Sequence, residues 1–189
     1  LKLSKPNIGK GDYGSTEFIG TAVAYKSSWQ AEACGTVDEL NAMIGEAYTR
    51  IQQAKVKSDL LRIAKDLFIL GTDIANTRMS KKDLPRITTR HIHHIEELII
   101  KYEKSLKRIH HFIVPIGPPS FTILQQARAV CRRAERQLVK FMKSDKTDIK
   151  NNPLTLAYLN RLGDLFFEMA RFILKESDFP EIYWSRDVS

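Results

Sequence analysis

The sequence predicts an all-α fold, a bundle of five helices preceded by a loop-like arm, and three observations carry that prediction. Apolar residues recur three and four apart over three or more turns in several separate segments, the spacing of helices that bury one face in an antiparallel or mixed bundle. No segment alternates apolar and polar residues for the length of a strand. The prolines after position 80 fall between or at the edges of the periodic segments, where they end or start helices rather than break them.

Residues 1–26, with Pro6, Gly9, Gly11, Gly14 and Gly20, show no helical period and read as a loop arm. Thr36 followed by Glu39 forms a capping-box pattern ahead of Val37, Leu40, Ile44, Ala47 and Ile51, which places the first helix near Thr36, with Ser27 and Gln30 as earlier starting points. Ser58 can cap a second helix through Leu61, Ala64, Leu67, Phe68 and Gly71 to Ile74, and Pro85 closes the connection that follows. A third helix is predicted after Thr88, carrying Ile92, Ile95, Ile99, Tyr102 and Leu106. From His111 to Pro119 three prolines remove donors and disfavour helical geometry in the residues before them, so this stretch is a rigid loop. Pro119 is placed to start a fourth helix with Leu124, Ala127, Cys131, Ala134, Leu138 and Phe141 on one face. Asn152 and Pro153 read as N-cap and first residue of a fifth, striped by Leu159, Leu162, Phe166, Met169 and Ile173. The expected organisation is one domain over 1–189, with the bundle at 27–178 and a tail at 179–189; no repeat or linker divides it.

Length and composition agree. One domain is expected of 189 residues, at about 150 residues per domain. With 43% apolar and 28% charged residues, the chain is excluded from disordered, collagenous and low-complexity classes. Apolar runs such as Leu67 to Leu70 fall far short of a membrane span, and the N-terminus lacks a signal-peptide apolar region, so a cytoplasmic protein is expected. Cys34 and Cys131 fit no metal-ligand spacing and read as free thiols.

Several features could carry chemistry. Gly9-Lys10-Gly11-Asp12-Tyr13-Gly14 satisfies G-x-G-x-x-G but lacks the strand and helix of a dinucleotide-binding unit. A plain arm and a phosphate-binding loop, in which glycines let backbone N–H groups and Lys10 approach an anion, remain open. On helix four, Arg128, Arg132 and Glu135 share a face bordering the apolar stripe, with Arg133 and Arg136 beside them. This is either an anion site, guanidinium being suited to phosphate or carboxylate, or an ion-pair network within the bundle. Asn160 with Asp164, and Asp38 with Asn41, flank the stripes of helices five and one in the same way. His91, His93, His94 and Glu97 stand in the first turns of helix three without a second ligand cluster, so no metal site is predicted. His110 and His111 read as loop residues. The net charge of +8 and the run Arg128, Arg132, Arg133, Arg136, Lys140, Lys143 and Lys146 could suit nucleic acid, but interspersed acids and the lack of a known nucleic-acid motif argue against that partner.

Taken in order, four segments resemble the PduO-type ATP:cob(I)alamin adenosyltransferases: Cys34 to Asn41 (Cys-Gly-Thr-Val-Asp-Glu-Leu-Asn) with Ile44-Gly45; Phe112 to Pro115; Arg128 to Arg136; and Leu159 to Phe167 with Ala170-Arg171. The resemblance implies a five-helix bundle assembled as a homotrimer, with ATP and corrinoid held between subunits. It implies that cobalt of cob(I)alamin attacks the 5′ carbon of ATP and releases triphosphate, giving adenosylcobalamin. Phe112 would be the apolar wedge that displaces the lower axial ligand of cobalt, with Asp164 assigned to the corrinoid side and to ordering the arginines. Arg128 would pair with Asp38 across the interface. Arg132, Glu135, Arg136 and Asn160 would contact ATP together with Lys10, Gly11, Asp12 and Gly14 of the arm, and Mg²⁺ would accompany the triphosphate. A flavin-type reductase and an adenosylcobalamin-dependent enzyme are the implied partners, without nucleic acid or membrane. The clustered aromatics of the tail, Phe179, Tyr183 and Trp184 with Ile182, are expected to fold over the corrinoid, so deleting 178–189 should weaken its binding.

Two positions depart from the family pattern. Ile8, Gly9 and Lys10 stand where Thr-Lys-Thr is usual before Gly-Asp-x-Gly, which displaces the lysine by one, and Ile116-Gly117-Pro118-Pro119 replaces the paired glycines after Pro115. These departures leave a second reading, a family member that binds ATP or corrinoid as a carrier or regulator without efficient catalysis.

Overall fold

The computed structural model describes residues 8–19, 23–76, 84–144 and 152–185. Pro6, Gly20, Lys146 and the final tail residues 186–189 lie outside them. Two short strands, β1 (Ser15–Thr16) and β2 (Ala24–Tyr25), pair antiparallel in the arm, followed by α1 (Trp29–Arg50), α2 (Ala54–Ala75), α3 (Thr89–Glu103), α4 (Pro119–Met142) and α5 (Pro153–Glu176). The five predicted helices are present. The arm is more ordered than a plain loop, because pairing of Ser15 with Tyr25 and Thr16 with Ala24 satisfies backbone groups that would otherwise need water.

Two predicted boundaries shift, and the α1 start falls between Ser27 and Gln30, the earlier positions left open by the sequence. The α1 cap is Ser28, whose Oγ accepts from Ala31 N at 3.3 Å, so the predicted capping box at Thr36 is not formed. Thr36 lies inside the helix with its hydroxyl donating to Glu32 O at 2.7 Å. The earlier start brings Ala33 into the core. Likewise α2 begins at Ala54 rather than after Ser58, which brings Val56 to full burial, although Gln53 gives it no side-chain cap. Leu106, predicted on the α3 stripe, falls beyond the helix: the chain turns after Glu103, and Ser105 Oγ donates to Tyr102 O at 2.9 Å, satisfying a terminal carbonyl. Thr88, Pro119 and Asn152-Pro153 start their helices as predicted.

Side-chain pairs give the helix directions. Glu39 meets Arg133 while Lys140 lies over Trp29, so α1 and α4 are antiparallel. Glu135 meets Asn160 while Arg128 lies over Phe167, so α4 and α5 are antiparallel as well. Gln30 bonds Ile74 O while Lys57 covers Tyr48, which sets α2 against α1 in the same sense. Because Glu96 meets Arg161 and Tyr102 packs on Phe172, α3 runs parallel to α5. The helices therefore run up, down, up, down, up. The arm lies at the end where α1 begins, and the loop from 104 to 118 and the tail lie at the other.

The apolar stripes of all five helices meet in one core that includes Leu40, Leu67, Leu98, Leu124, Cys131 and Phe166. At the α1-entry end a buried polar hub ties three segments together. Asp73, its side chain 1% exposed, accepts from Arg86 Nε at 2.8 Å, Ile87 N at 3.1 Å and Asn152 Nδ2 at 2.6 Å. Asn152 also caps α5, its Oδ1 accepting from Leu154 N at 3.1 Å. Asn152→Ala removes the cap and one of the buried carboxylate's donors together. The expected loss is about 2 kcal/mol of unfolding free energy, read from the urea midpoint, the cap contributing about half.

Candidate functional site

The groove between α4 and α5 is built by their antiparallel register. Cys131 Sγ donates to Leu159 O at 3.2 Å, fixing the two helices at mid-length. Gly163 lies beneath Arg132: a Cβ there would stand 3.8 Å from Arg132 Cγ, so the arginine stem lies across α5. One turn toward the tail end, the Arg128 guanidinium covers the Phe167 ring at 5.3 Å. One turn the other way, Asn160 Nδ2 donates to Glu135 Oε1 at 3.0 Å. Arg161 extends this chain, donating from Nη1 to Asn160 Oδ1 at 2.8 Å and from Nε to Glu96 Oε1 at 3.2 Å, so α3, α5 and α4 are tied through polar side chains.

The two sequence readings of the helix-four arginines thus divide residue by residue. Arg133 is the network residue, paired with Glu39 of α1. Arg136 donates from Nη1 to Arg132 O at 3.0 Å and is otherwise exposed. Among the described residues, Asp38, Arg128, Arg132 and Asp164 make no ion pair within the chain. Asp38 and Arg128 are therefore not brought together in one copy, and Arg132 and Asp164 remain solvent-exposed along the α4–α5 groove. Burial first, then the Asp38 charge, pushes the Cys34 thiol up to about 12, and burial followed by Glu135 raises Cys131.

In the arm, Gly9 and Gly14 take φ of +88° and +74°, conformations in which other residues are strained, and they fold 8–14 into consecutive turns. Lys26 closes that loop from the far side, its Nζ donating to Gly11 O at 2.8 Å and its N to Gly14 O at 2.9 Å. Lys10 faces Glu17 at 3.5 Å. Lys10, Gly11, Ser15, Thr16, Glu17, Val23 and Lys26 line a cleft of about 330 Å³. Asp12 lies in the turn and exposed. Lys26 was not singled out from the sequence; its signal is visible only once β2 places it against the glycine turn, 15 residues away in the chain.

At the other end, Phe112 is 80% exposed. Its carbonyl accepts from Trp184 N at 2.8 Å, and Val114 N donates to Ile182 O at 2.8 Å, around an antiparallel bridge between Ile113 and Tyr183. Ile109 to Phe112 and Tyr183 to Ser185 enclose a cleft of about 670 Å³, mostly apolar in character, with His110 and His111 on its wall. The loop is held close to the bundle by Gly117, where a Cβ would come within 2.7 Å of Phe121 Cδ1 and 2.9 Å of Leu174 Cδ2. A single glycine thus makes the close approach in the proline-rich variant of this loop. His91, weighed as a metal ligand, has its Nδ1 accepting from Thr88 N at 3.0 Å as part of the α3 capping box. Among the described residues no three His, Cys, Asp or Glu side chains stand close enough to hold a metal ion.

Among the described residues the bundle thus carries guanidinium groups without ion-pair partners in one groove, a glycine-turn cleft with two lysines at one end and an open aromatic cleft at the other. Comparison with known proteins makes the class specific. The profile of the family described as cobalamin adenosyltransferase matches residues 7–173, and the chain belongs to that family. A corrinoid adenosyltransferase of Bacillus subtilis is 33% identical over 180 residues, 93% of this chain and 90% of that protein. A cobalamin adenosyltransferase of Cupriavidus metallidurans is 32% identical, covering 98% and 97%. Among solved structures, a variant PduO-type ATP:corrinoid adenosyltransferase from Lactobacillus reuteri complexed with cobalamin and ATP superposes with a TM-score of 0.87 at 29% identity, covering 94% of this chain and 97% of that one.

Proposed function

We propose that this chain transfers the 5′-deoxyadenosyl group of ATP to the cobalt of cob(I)alamin, releasing triphosphate, as a single domain assembled as a homotrimer. The observation that carries this reading is the set of unpaired charges: among the described residues, Arg128, Arg132, Asp38 and Asp164 have no ion-pair partner, although Arg133 and Arg161 beside them do. Charges on a bundle seam that their own fold leaves unpaired are suited to partners from outside, a polyanionic nucleotide and a second subunit.

In the step itself a Co–C bond forms at C5′ while the C5′–O bond breaks, and the electron pair leaves on the triphosphate oxygen. The protein's contribution is to align the two reactants and to stabilise charge building on the leaving group. Arg132 and the Glu135–Asn160 pair hold the nucleotide, with Arg136 at the groove edge. Lys10, Lys26 and the backbone around Gly11, Asp12 and Gly14 receive the phosphates. Phe112 presents an apolar face where a polar lower ligand of cobalt would sit, with Asp164 ordering the arginines nearby, and Arg128 meets Asp38 of a second copy. No acidic cage exists among the described residues for a resident cation. Mg²⁺ would arrive held mainly by phosphate oxygens and water.

The partners that suit this chemistry are a flavin-type reductase supplying the electron and an adenosylcobalamin-dependent enzyme taking the product. No helix among the described residues is long and apolar enough to cross a membrane, and a cytoplasmic site of action fits the reading. The altered Ile8-Gly9-Lys10 approach to the glycine turn favours a second reading, a carrier that binds without efficient turnover. The deciding measurement is adenosylcobalamin formation from chemically reduced cob(I)alamin, ATP and Mg²⁺, followed by corrinoid absorbance. Turnover supports the enzyme, and binding without turnover supports the carrier. Sedimentation at micromolar concentration should show a trimer that Asp38→Ala weakens; a monomer would contradict an intersubunit site.

A further inference from the structure

The α5 residue Arg171 is only 3% exposed, yet neither the nucleotide groove nor the corrinoid cleft uses its charge directly. Each of its three guanidinium nitrogens donates to a different segment of chain. Nε donates to Glu181 Oε1 of the tail at 2.8 Å, Nη1 to Glu168 Oε2 of α5 at 3.0 Å, and Nη2 to Lys107 O of the loop after α3 at 2.6 Å. Burial raises the Glu168 carboxyl against the opposing pull of Arg171. Glu181 passes the contact on, its second oxygen accepting from Tyr183 OH, and Tyr183 is the residue bridged to Ile113 beside Phe112. On its other side Arg171 stands 5.8 Å from the Phe167 ring, the same ring that Arg128 covers at 5.3 Å.

A buried ion cluster is a poor device for stability alone, because desolvation of its charges offsets their attraction; its best-attested use is to specify one geometry. We infer that Arg171 is a positioning residue for the corrinoid: it locks the tail to the 104–114 loop, so that Phe112 and Tyr183–Trp184 stand as one preformed wall, and it links that wall through Phe167 to Arg128. The inference rests on the reading of Phe112 as the group beneath cobalt. A lysine could keep the charge but not the planar fork that reaches three acceptors at once.

The test compares the full chain with Arg171→Lys and Glu181→Ala. Hydrogen exchange at the Val114 and Trp184 amides, which bond across the loop–tail bridge, should quicken at least about tenfold in both variants. The KM for cob(I)alamin should rise by about tenfold or more while the KM for ATP stays within about twofold, and the absorbance change that marks loss of the lower ligand from bound cob(II)alamin should shrink. Should Arg171→Lys fail to fold, Glu181→Ala, which lies outside the helices, decides alone. Faster exchange with corrinoid KM and spectrum unchanged would leave Arg171 a purely structural residue and overturn the inference, as would unchanged exchange. A parent chain without any adenosyl transfer overturns the functional reading itself, whatever the exchange shows.

Discussion

Arg132→Ala is expected to lower kcat/KM for adenosyl transfer by about 10² to 10³, the range seen when one preorganised group facing developing negative charge is removed. The fold should barely respond. The Arg132 side chain is exposed, makes no ion pair among the described residues, and touches the bundle through its stem over Gly163, so unfolding free energy should change by no more than about 0.5 kcal/mol. Arg133→Ala provides the contrast: its guanidinium is already engaged with Glu39, so its removal should affect catalysis much less. Steady-state kinetics with chemically reduced cob(I)alamin, alongside urea unfolding, measures both quantities. Equal losses in the two variants would place the nucleotide elsewhere.

Phe112→Ala should separate reduction from transfer. With 80% of the residue exposed, truncation removes little buried area and should leave stability nearly unchanged. In an assay that starts from cob(II)alamin and a reductant, turnover should fall by about 10², the scale of a misplaced reacting group. When cob(I)alamin is supplied already reduced, much of that loss should be restored, because the wedge acts by removing the ligand that opposes reduction. An equal loss in both assays would instead make Phe112 a general contact for the corrinoid, and no loss in either would remove it from the site.

How much of this was legible in the sequence follows from the range over which each feature is decided. Asn152-Pro153 and Pro119 start their helices where the local pattern puts them, because cap and proline chemistry act within a few residues. The α1 start falls between Ser27 and Gln30, the earlier positions the pattern left open, with Ser28 as its cap, whereas α2 starts before Ser58 without a side-chain cap, its first turn burying Val56 in the core. The stripe of α3 overran to Leu106 since periodicity alone does not register the turn that Ser105 completes. In the site, the shared face of Arg128, Arg132 and Glu135 was readable from helical spacing. Arg161 and Arg171 stand out in the sequence only as parts of a motif, and their work, to Glu96 in one case and to Glu181 and Lys107 in the other, depends on segments brought together by the fold.

The sequence by itself determined the five helices, the rigid proline loop and the types of side chain available along each helix, since these follow from spacing, capping and φ restriction within a turn or two. Only the tertiary structure decided which charges neutralise one another. Five neighbouring arginines and lysines on α4 have the same local chemistry, yet α1 supplies Glu39 to Arg133 and Trp29 to Lys140, while no acid of the described chain reaches Arg128 or Arg132. That difference comes from the antiparallel register of α4 against α1 and α5, a long-range property set by how the apolar stripes of three helices fit into one core.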